Sequence, residues 1–527
     1  MLCAKAAAPQ NRQQKGRKMD TFPWWNEAQI RLAEEAGKFV DEVLMPIGMR
    51  SIAKNELARE ATRLMAGRDW FGALVPKKYG GHFEDWGVTG AAILNEEAAR
   101  AGVVGPLGTT MFGSATQLLH NGSEEQKQKW LPAMAKGELL GCITMTEPYA
   151  GSDIASIEST AVRAGDDYII NGKKRFQTTA AAADLYLCYF RTSGKPEDRA
   201  AYRHLSAFVV EKGAPGFHVE RVNDMIGMFG NYNGNLTFDQ ARIPAFNRLG
   251  NEGDGWKIMM GGLNVERILN AAPILGLMRE CIRYAKQHLE RRLQFGRPTG
   301  DIATNQFKLA EMISKLYLSR VMIYYSCHCI DLGREIPVEA AVSKLFAADS
   351  LMETALEAIQ CMGGNGALKI YPVQRIMQDA KLTQIAAGTS EVLKLLIYRQ
   401  GTKRMKDDLK APQRMIDPDL KVPLPVGKPP ARVAARSEAD VLAVLAENYR
   451  VNPGLHMTMD DIREWLEASD ADLKKYLEAL EARGWAGLYR TRQGIALARI
   501  TLAGLQQAHP PEYYRYIPDW AAPQDMF

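Results

Sequence analysis

Residues 142–153 read CITMTEPYAGSD, residues 263–268 read LNVERI, and residues 385–392 read IAAGTSEV. The first run stands where the pattern of the chain changes. Before it, from Asn26 to about Lys136, apolar residues recur three and four apart, as in EAQIRLAEEAGKFVDEVL and EEQKQKWLPAMAKGE, which predicts helices. From about Gly141 to Gly250 the runs DYIINGKKRF, DLYLCYF and LSAFVVEKG are β-branched and aromatic. Gly, Asp and Asn bound them, which predicts strands and turns. From Trp256 to about Arg404 long amphipathic helices return, such as the one within PTGDIATNQFKLAEMISKLYLSRVMIYYSCHCI. Helices, a compact β segment, then helices again predict an α+β chain with a central β domain.

The remainder of the chain bounds what this arrangement serves. Its 527 residues exceed one simple core and imply several domains. With 46% hydrophobic and 24% charged residues, the composition is that of an ordinary globular protein. A net charge of +5 over this length is too mild to argue for nucleic acid or membrane partners. No apolar run reaches the length of a membrane span. The seven cysteines include no C-x-x-C pair and fit a reducing compartment. Cys327, His328 and Cys329 lie in an apolar helical stretch with no matching ligand pair elsewhere, so they read as core and no metal is expected. The leader MLCAKAAAPQNRQQKGRK is basic and lacks an apolar segment, which argues against secretion. It reads as an unstructured leader, or as sequence before a true start at Met19, either giving a cytoplasmic protein, or as a transit peptide to the mitochondrial matrix.

Between Pro412 and Pro430 lie six prolines without apolar periodicity, an extended linker. Beyond it, SEADVLAVLAENY, MTMDDIREWLEA and DADLKKYLEALEARGW predict three short helices. GLYRTRQGIALARITLAGLQQ predicts a hairpin turning into a last helix, and the set resembles a winged helix. The stretch corresponding to a recognition helix, Ser469–Arg483, mixes Asp470, Asp472, Glu478 and Glu481 with Lys474, Lys475 and Arg483. That face is not basic, which argues against DNA binding, although Arg490, Arg492 and Arg499 lie in the wing. A packing or oligomer-contact role is the stronger reading. The expected divisions are a leader (1–24), a helical domain (25–140), a β domain (141–250), a helical bundle (251–404), a linker (405–434), a winged-helix-like domain (435–508) and a tail (509–527).

TEPYAGSD, FQT at 176–178, RLQFG at 292–296, QCMGG at 360–364 and AGTSE at 387–391 occur in an order that resembles the acyl-CoA dehydrogenase family over residues 25–403. The resemblance implies that family's fold: an N-terminal helical domain, a central β domain and a C-terminal four-helix bundle. It implies FAD as cofactor, an acyl-CoA thioester as substrate, electron-transfer flavoprotein as acceptor, and a homotetramer or homodimer. It places Ile143, Thr144, Met145, Thr146, Gly151 and Ser152 along the flavin, with Ser152 also near substrate. Phe176 stands against the ring and Thr178 near its hydride-accepting atom. Arg292, Gln294 and Phe295 match the run that holds the pyrophosphate. Gln360, Gly363 and Gly364 match a segment reaching a neighbouring subunit's cofactor, and Thr389 and Glu391 match further flavin contacts. The chain departs from the family pattern at Gln177, Thr179, Ala303 and Gln378.

In most of that family the catalytic base is a glutamate directly before the Gly-Thr pair, a position that is Ala387 here. A smaller branch, typified by isovaleryl-CoA dehydrogenase, carries the base on an earlier helix as the glutamate of L-x-x-E-R, which is Glu266 here. A thioester α-proton is too weakly acidic for an ordinary carboxylate, so the carbonyl oxygen needs fixed donors. The resemblance assigns these to the Ala387 N–H and a ribityl hydroxyl. A carboxylate in a dry cleft has a raised pKa suited to the task. Arg267 and Asn264 match substrate-side contacts. By analogy, a helix-borne base goes with branched, long or cyclic acyl groups. No arginine occupies 109–113, which disfavours a dicarboxylyl substrate. Two other readings are an oxidase, desulfinase or monooxygenase on the same fold, and a regulatory protein using its C-terminal module.

Overall fold

The computed structural model describes residues 21–48, 59–103, 105–228, 230–406, 433–451, 454–491 and 494–509. All but the first residue of the expected tail, most of the expected leader and linker, and Arg492 of the wing therefore lie outside the described residues. The chain divides into two units, Met1–Met405 and Lys406–Phe527.

In the first unit, α1 (Glu27–Phe39) begins at Asn26, whose side chain accepts from Gln29 N–H while the Gln29 side chain accepts from Asn26 N–H. α2 (Phe83–Arg100) is broken at Gly87, where φ is +58°. A side chain there would press on the Asp331 carboxylate, which instead accepts from the N–H groups of Val88 and Thr89 at 2.6 and 3.1 Å. An anion thus caps the restarted helix. α3 (Glu124–Ala135) starts from a second capping box at Ser123.

The β segment is a sheet of eight strands: β1 (Gly141–Thr144), β2 (Thr160–Ala164), β3 (Asp167–Gln177), β4 (Leu185–Arg191), β5 (Leu205–Glu211), β6 (Phe217–Val222), β7 (Gly234–Pro244) and β8 (Arg248–Leu249). Their order is β6-β7-β3-β2-β4-β5-β8, with β1 added in parallel to β4. Every residue of β4 from Leu185 to Phe190 is buried, so this strand has core on both faces. One face packs with Ile258 and Met259, the opening turns of the next helix.

That helix, α4 (Gly255–Arg291), spans 37 residues, about 55 Å at ~1.5 Å per residue. It packs with α5 (Ala303–Asp331) and α6 (Pro337–Met362) in one core shared with α1 and α2. α7 (Val373–Thr383) and α8 (Ser390–Leu396) follow, joined by the loop that holds Ala387. Cys327 and Cys329 are buried in this core. Among the described residues no helix is long and apolar enough to cross a membrane.

The second unit has its own core, built from Val441, Leu445, Ile462, Leu473, Leu477, Ala498 and Leu505. It contains helices Glu438–Val451, Met459–Trp465, Asp470–Ala482 and Leu502–Ala508, and a hairpin of Ala486–Thr491 with Gly494–Ile500. A third strand, Met457–Thr458, pairs with Gly494–Ile500. Ser469 caps the helix that opens at Asp470, its side chain accepting from Asp472 N–H at 3.1 Å. Two of the basic residues weighed for DNA contact are engaged within the unit: Arg490 pairs with Glu481, and Arg483 with Glu438.

Because each unit has a separate core, a chain ending at Met405 is expected to fold without the rest. Its near-UV circular dichroism should match that of the full chain less the contribution of the second unit. Aggregation or loss of a cooperative melt in the truncated chain would contradict this.

Candidate active site

The turn after β1 is fixed from below by a buried ion pair. Lys174 Nζ on β3 donates to Glu147 Oε1 at 2.8 Å, to the Tyr189 carbonyl at 2.6 Å and to the Met145 carbonyl at 3.4 Å. Glu147 also accepts from the N–H groups of Glu158 and Ser159 at 2.6 and 3.2 Å. Burial alone would push the Glu147 carboxyl up, but Lys174 and these donors hold it below the ordinary range. For Lys174 burial dominates and lowers the ammonium, against the pull of Glu147. The segment 145–159 is therefore tied down at both ends while its apex, Tyr149, Gly151 and Ser152, stays exposed.

Alongside it runs the end of β3. Arg175 N–H and the Gln177 side chain both donate to the Thr146 carbonyl at 2.8 Å. Gln177, a departure from the family pattern, is thus a buried tie between the two segments. Phe176 is held at φ +60° and remains 48% exposed, with Arg175 stacked on it. Thr178 is half-buried beside it, as are Ile143, Met145 and Thr146. An exposed aromatic face flanked by hydroxyls and fixed backbone fits a flat ring with polar edges. Thr144 is fully buried, and its hydroxyl donates to the Leu187 carbonyl at 3.2 Å. Strand alternation turns that side chain into the sheet, so only its backbone can face a ligand.

Glu266 sits on α4, surrounded by protein yet with some accessible surface, as a group at the bottom of a concavity has. Burial pushes its carboxyl up to about 7, opposed by Arg267. The Tyr189 phenol is fully buried without a hydrogen-bond partner, and the Glu266 charge acts on it. Tyr189 therefore has the Glu266 charge acting on its phenol and Lys174 bonded to its carbonyl. On the other side, Arg267 Nη1 donates to Asn264 Oδ1 at 3.3 Å while its Nε stays unpartnered. Arg267 also acts on Lys344 of α6, whose Nζ donates to the Gly388 carbonyl at 2.8 Å. That carbonyl belongs to the loop of Ala387, which is held at φ +54°. Thr389 caps α8, accepting from Val392 N–H at 3.3 Å, and Glu391 is exposed in its first turn.

The structure thus connects Met145–Thr146, Phe176–Thr178, Glu266, Arg267 and Ala387. Of the expected residues, Arg292, Gln294, Phe295, Gln360, Gly363 and Gly364 are not joined to them. Arg292, Gln294 and Phe295 are exposed at the far end of α4, with Phe295 91% exposed at φ +52°. Gln360, Gly363 and Gly364 are exposed at the end of α6. Sequence reasoning missed Glu147, Lys174, Tyr189 and Lys344. For Lys344 a signal exists: it lies on the stripe Ala340, Ala341, Ala347, Ala348, Leu351 of an otherwise small and apolar helix face.

Family models for the acyl-CoA dehydrogenase N-terminal, middle and C-terminal domains match residues 26–138, 142–241 and 253–402. An acyl-CoA dehydrogenase of Bacillus subtilis (strain 168) is 37% identical over 68% of this chain and 97% of its own length. Mitochondrial isovaleryl-CoA dehydrogenase of Oryza sativa subsp. japonica is 36% identical over 71% and 91%. The solved butyryl-CoA dehydrogenase of Megasphaera elsdenii superposes with a TM-score of 0.69 at 32% identity, covering 72% of this chain and 99% of that one.

Removing one member of a buried pair leaves the other charge stranded. Lys174→Met is expected to lower unfolding free energy by about 3–5 kcal/mol in urea titrations. Adding Glu147→Gln should recover part of that loss, because the amide oxygen can still accept from the backbone. A Lys174→Met chain as stable as the parent would show that the pair does not hold the turn.

Proposed function

The chain belongs to the acyl-CoA dehydrogenase family, whose members are FAD-dependent, and from that premise we propose that Glu266 is its catalytic base in the α,β-dehydrogenation of an acyl-CoA thioester. The observation that carries this reading is a carboxyl raised to about 7 on the helix that faces a Gly-Thr loop whose own preceding residue, Ala387, has no acid. FAD bound along Met145–Ser152 and Phe176–Thr178 would accept the hydride leaving the β-carbon. Glu266 removes the α-proton from the opposite side and holds it as the neutral acid. The Ala387 N–H stabilises the negative charge that develops on the thioester oxygen, a role independent of the side chain. Arg267, locked by Asn264, keeps a positive group beside the base and the acyl end. Ser152, exposed on the tethered turn, contacts the carrier portion.

The substrate class favoured is a branched, cyclic or long acyl-CoA, from the helix-borne base and the likeness to isovaleryl-CoA dehydrogenase. The electrons pass on to electron-transfer flavoprotein. The assembly is a homodimer or homotetramer. Arg292 is roughly 39 Å from Glu266 along α4 at ~1.5 Å per residue, too far for one cofactor to meet both in one chain. A second copy must bring its Arg292, Gln294, Phe295 and Gln360–Gly364 to the flavin. Exposed Phe307, Ile313, Tyr317 and Leu318 on α5 supply apolar surface for such contact.

Glu266→Gln is expected to bind acyl-CoA while flavin bleaching by substrate slows by about 10²-fold or more. In the parent protein the bleaching rate should rise with pH through about 7, because only the ionised carboxylate can take the proton and burial has raised its pKa. Near-normal bleaching by Glu266→Gln, or a rate flat between pH 6 and 8, would move the base elsewhere. A panel of acyl-CoAs with an artificial acceptor against oxygen consumption separates dehydrogenase from oxidase chemistry.

A further inference from the structure

Lys344 is a lysine in a place where lysines are costly. It is 1% exposed, and among the described residues no carboxylate forms an ion pair with it. Its one hydrogen bond is to the Gly388 carbonyl, at 2.8 Å. Burial pulls the ammonium down to about 8. Asp349 on the same helix and Glu391 on α8 oppose that shift, and Arg267 on α4 adds to it. A buried cation with so few compensations lowers stability unless it serves another end.

The loop it touches needs holding. Ala387 has φ +54° and Gly388 φ +90°. For alanine the left-handed region is unfavourable, so the surroundings must impose it. α6 provides three ties. Asp349 accepts from Gln384 Nε2 at 2.8 Å and from Ser390 Oγ at 3.5 Å, gripping the two ends of the loop. Lys344 grips the middle, one residue after Ala387. Released from that tie, Ala387 can relax to the ordinary helical region and swing its N–H away.

We propose that Lys344 is a positioning residue, which by holding the Gly388 carbonyl fixes the left-handed turn at Ala387 and with it the direction of the N–H that polarises the thioester. This rests on the role given to Ala387 above. The atom that meets substrate belongs to the loop, and Lys344 acts through it from the rear.

The test compares Lys344→Met and Lys344→Gln with the parent as full-length holoenzyme. Methionine matches the size of the lysine stem but donates nothing, whereas glutamine retains a donor. In Lys344→Met, amide hydrogen exchange in 384–390 should speed by about tenfold or more while the other segments and the flavin spectrum stay unchanged. Flavin reduction at saturating acyl-CoA should slow by about 10–1,000-fold with the dissociation constant nearly constant. Lys344→Gln should recover part of both. The melting temperature of Lys344→Met should hold or rise, since a buried charge is removed. Unchanged exchange at 384–390 overturns the proposal. So do exchange that rises throughout with loss of flavin, and weaker binding with an unchanged reduction rate. If the parent is reduced by no thioester, the dehydrogenase reading fails. The exchange comparison still decides whether Lys344 holds the loop.

Discussion

The Lys174–Glu147 pair is the constraint around which the site is organised. It joins two strands and the turn after β1: β3 through the lysine itself, β4 through the Tyr189 carbonyl, and the turn through the Met145 carbonyl and through Glu147 and its donors. Both side chains are withdrawn from water. Such a pair adds little to stability against an apolar alternative of equal volume, but it fixes geometry, because each charge accepts few other partners. That suits a surface that must meet a flat ring with ångström accuracy.

From this anchor the site is assembled by elements far apart in sequence. β4 gives one face to the core beneath the turn and sends the Tyr189 phenol towards Glu266. α4 then places Glu266 and Arg267 on adjacent positions, one raised in pKa by burial and the other lowered by it. A carboxylate and a guanidinium one residue apart on a helix diverge in direction, so they do not simply neutralise each other. α6 closes the arrangement from the rear through Lys344 and Asp349. The buried polar contacts on either side of Glu266 tie the sheet through Lys174 and the loop through Lys344.

Much of this was legible in the sequence, for reasons that differ by residue. The strands Asp167–Gln177, Leu185–Arg191 and Leu205–Glu211 stand out because β-branched and aromatic runs end at turn residues. Glu266 stands out through the missing acid at position 387. Lys174 does not stand out, because a lysine's burial is decided by what packs across from it, which local strand pattern does not encode; Lys344 is marked only by the small apolar stripe it interrupts. Thr144 shows the converse limit: a motif names a segment, while strand alternation decides which of its side chains turn outward. The motif marks Arg292 from local spacing, but its distance from Glu266 becomes apparent only once α4 is seen as one helix from Gly255 to Arg291.

The span of α4 has a genetic consequence. If each cofactor takes its base from one copy and its pyrophosphate grip from the other, the two ends of this helix serve different sites. A chain defective at Glu266 and a chain defective at Arg292, expressed together, form mixed pairs. In such a pair one site carries both defects and the other carries none. Alleles with lesions at opposite ends would then complement each other, while alleles with lesions at the same end would not. Which defects rescue one another in a heterozygote would follow from distance along a single helix.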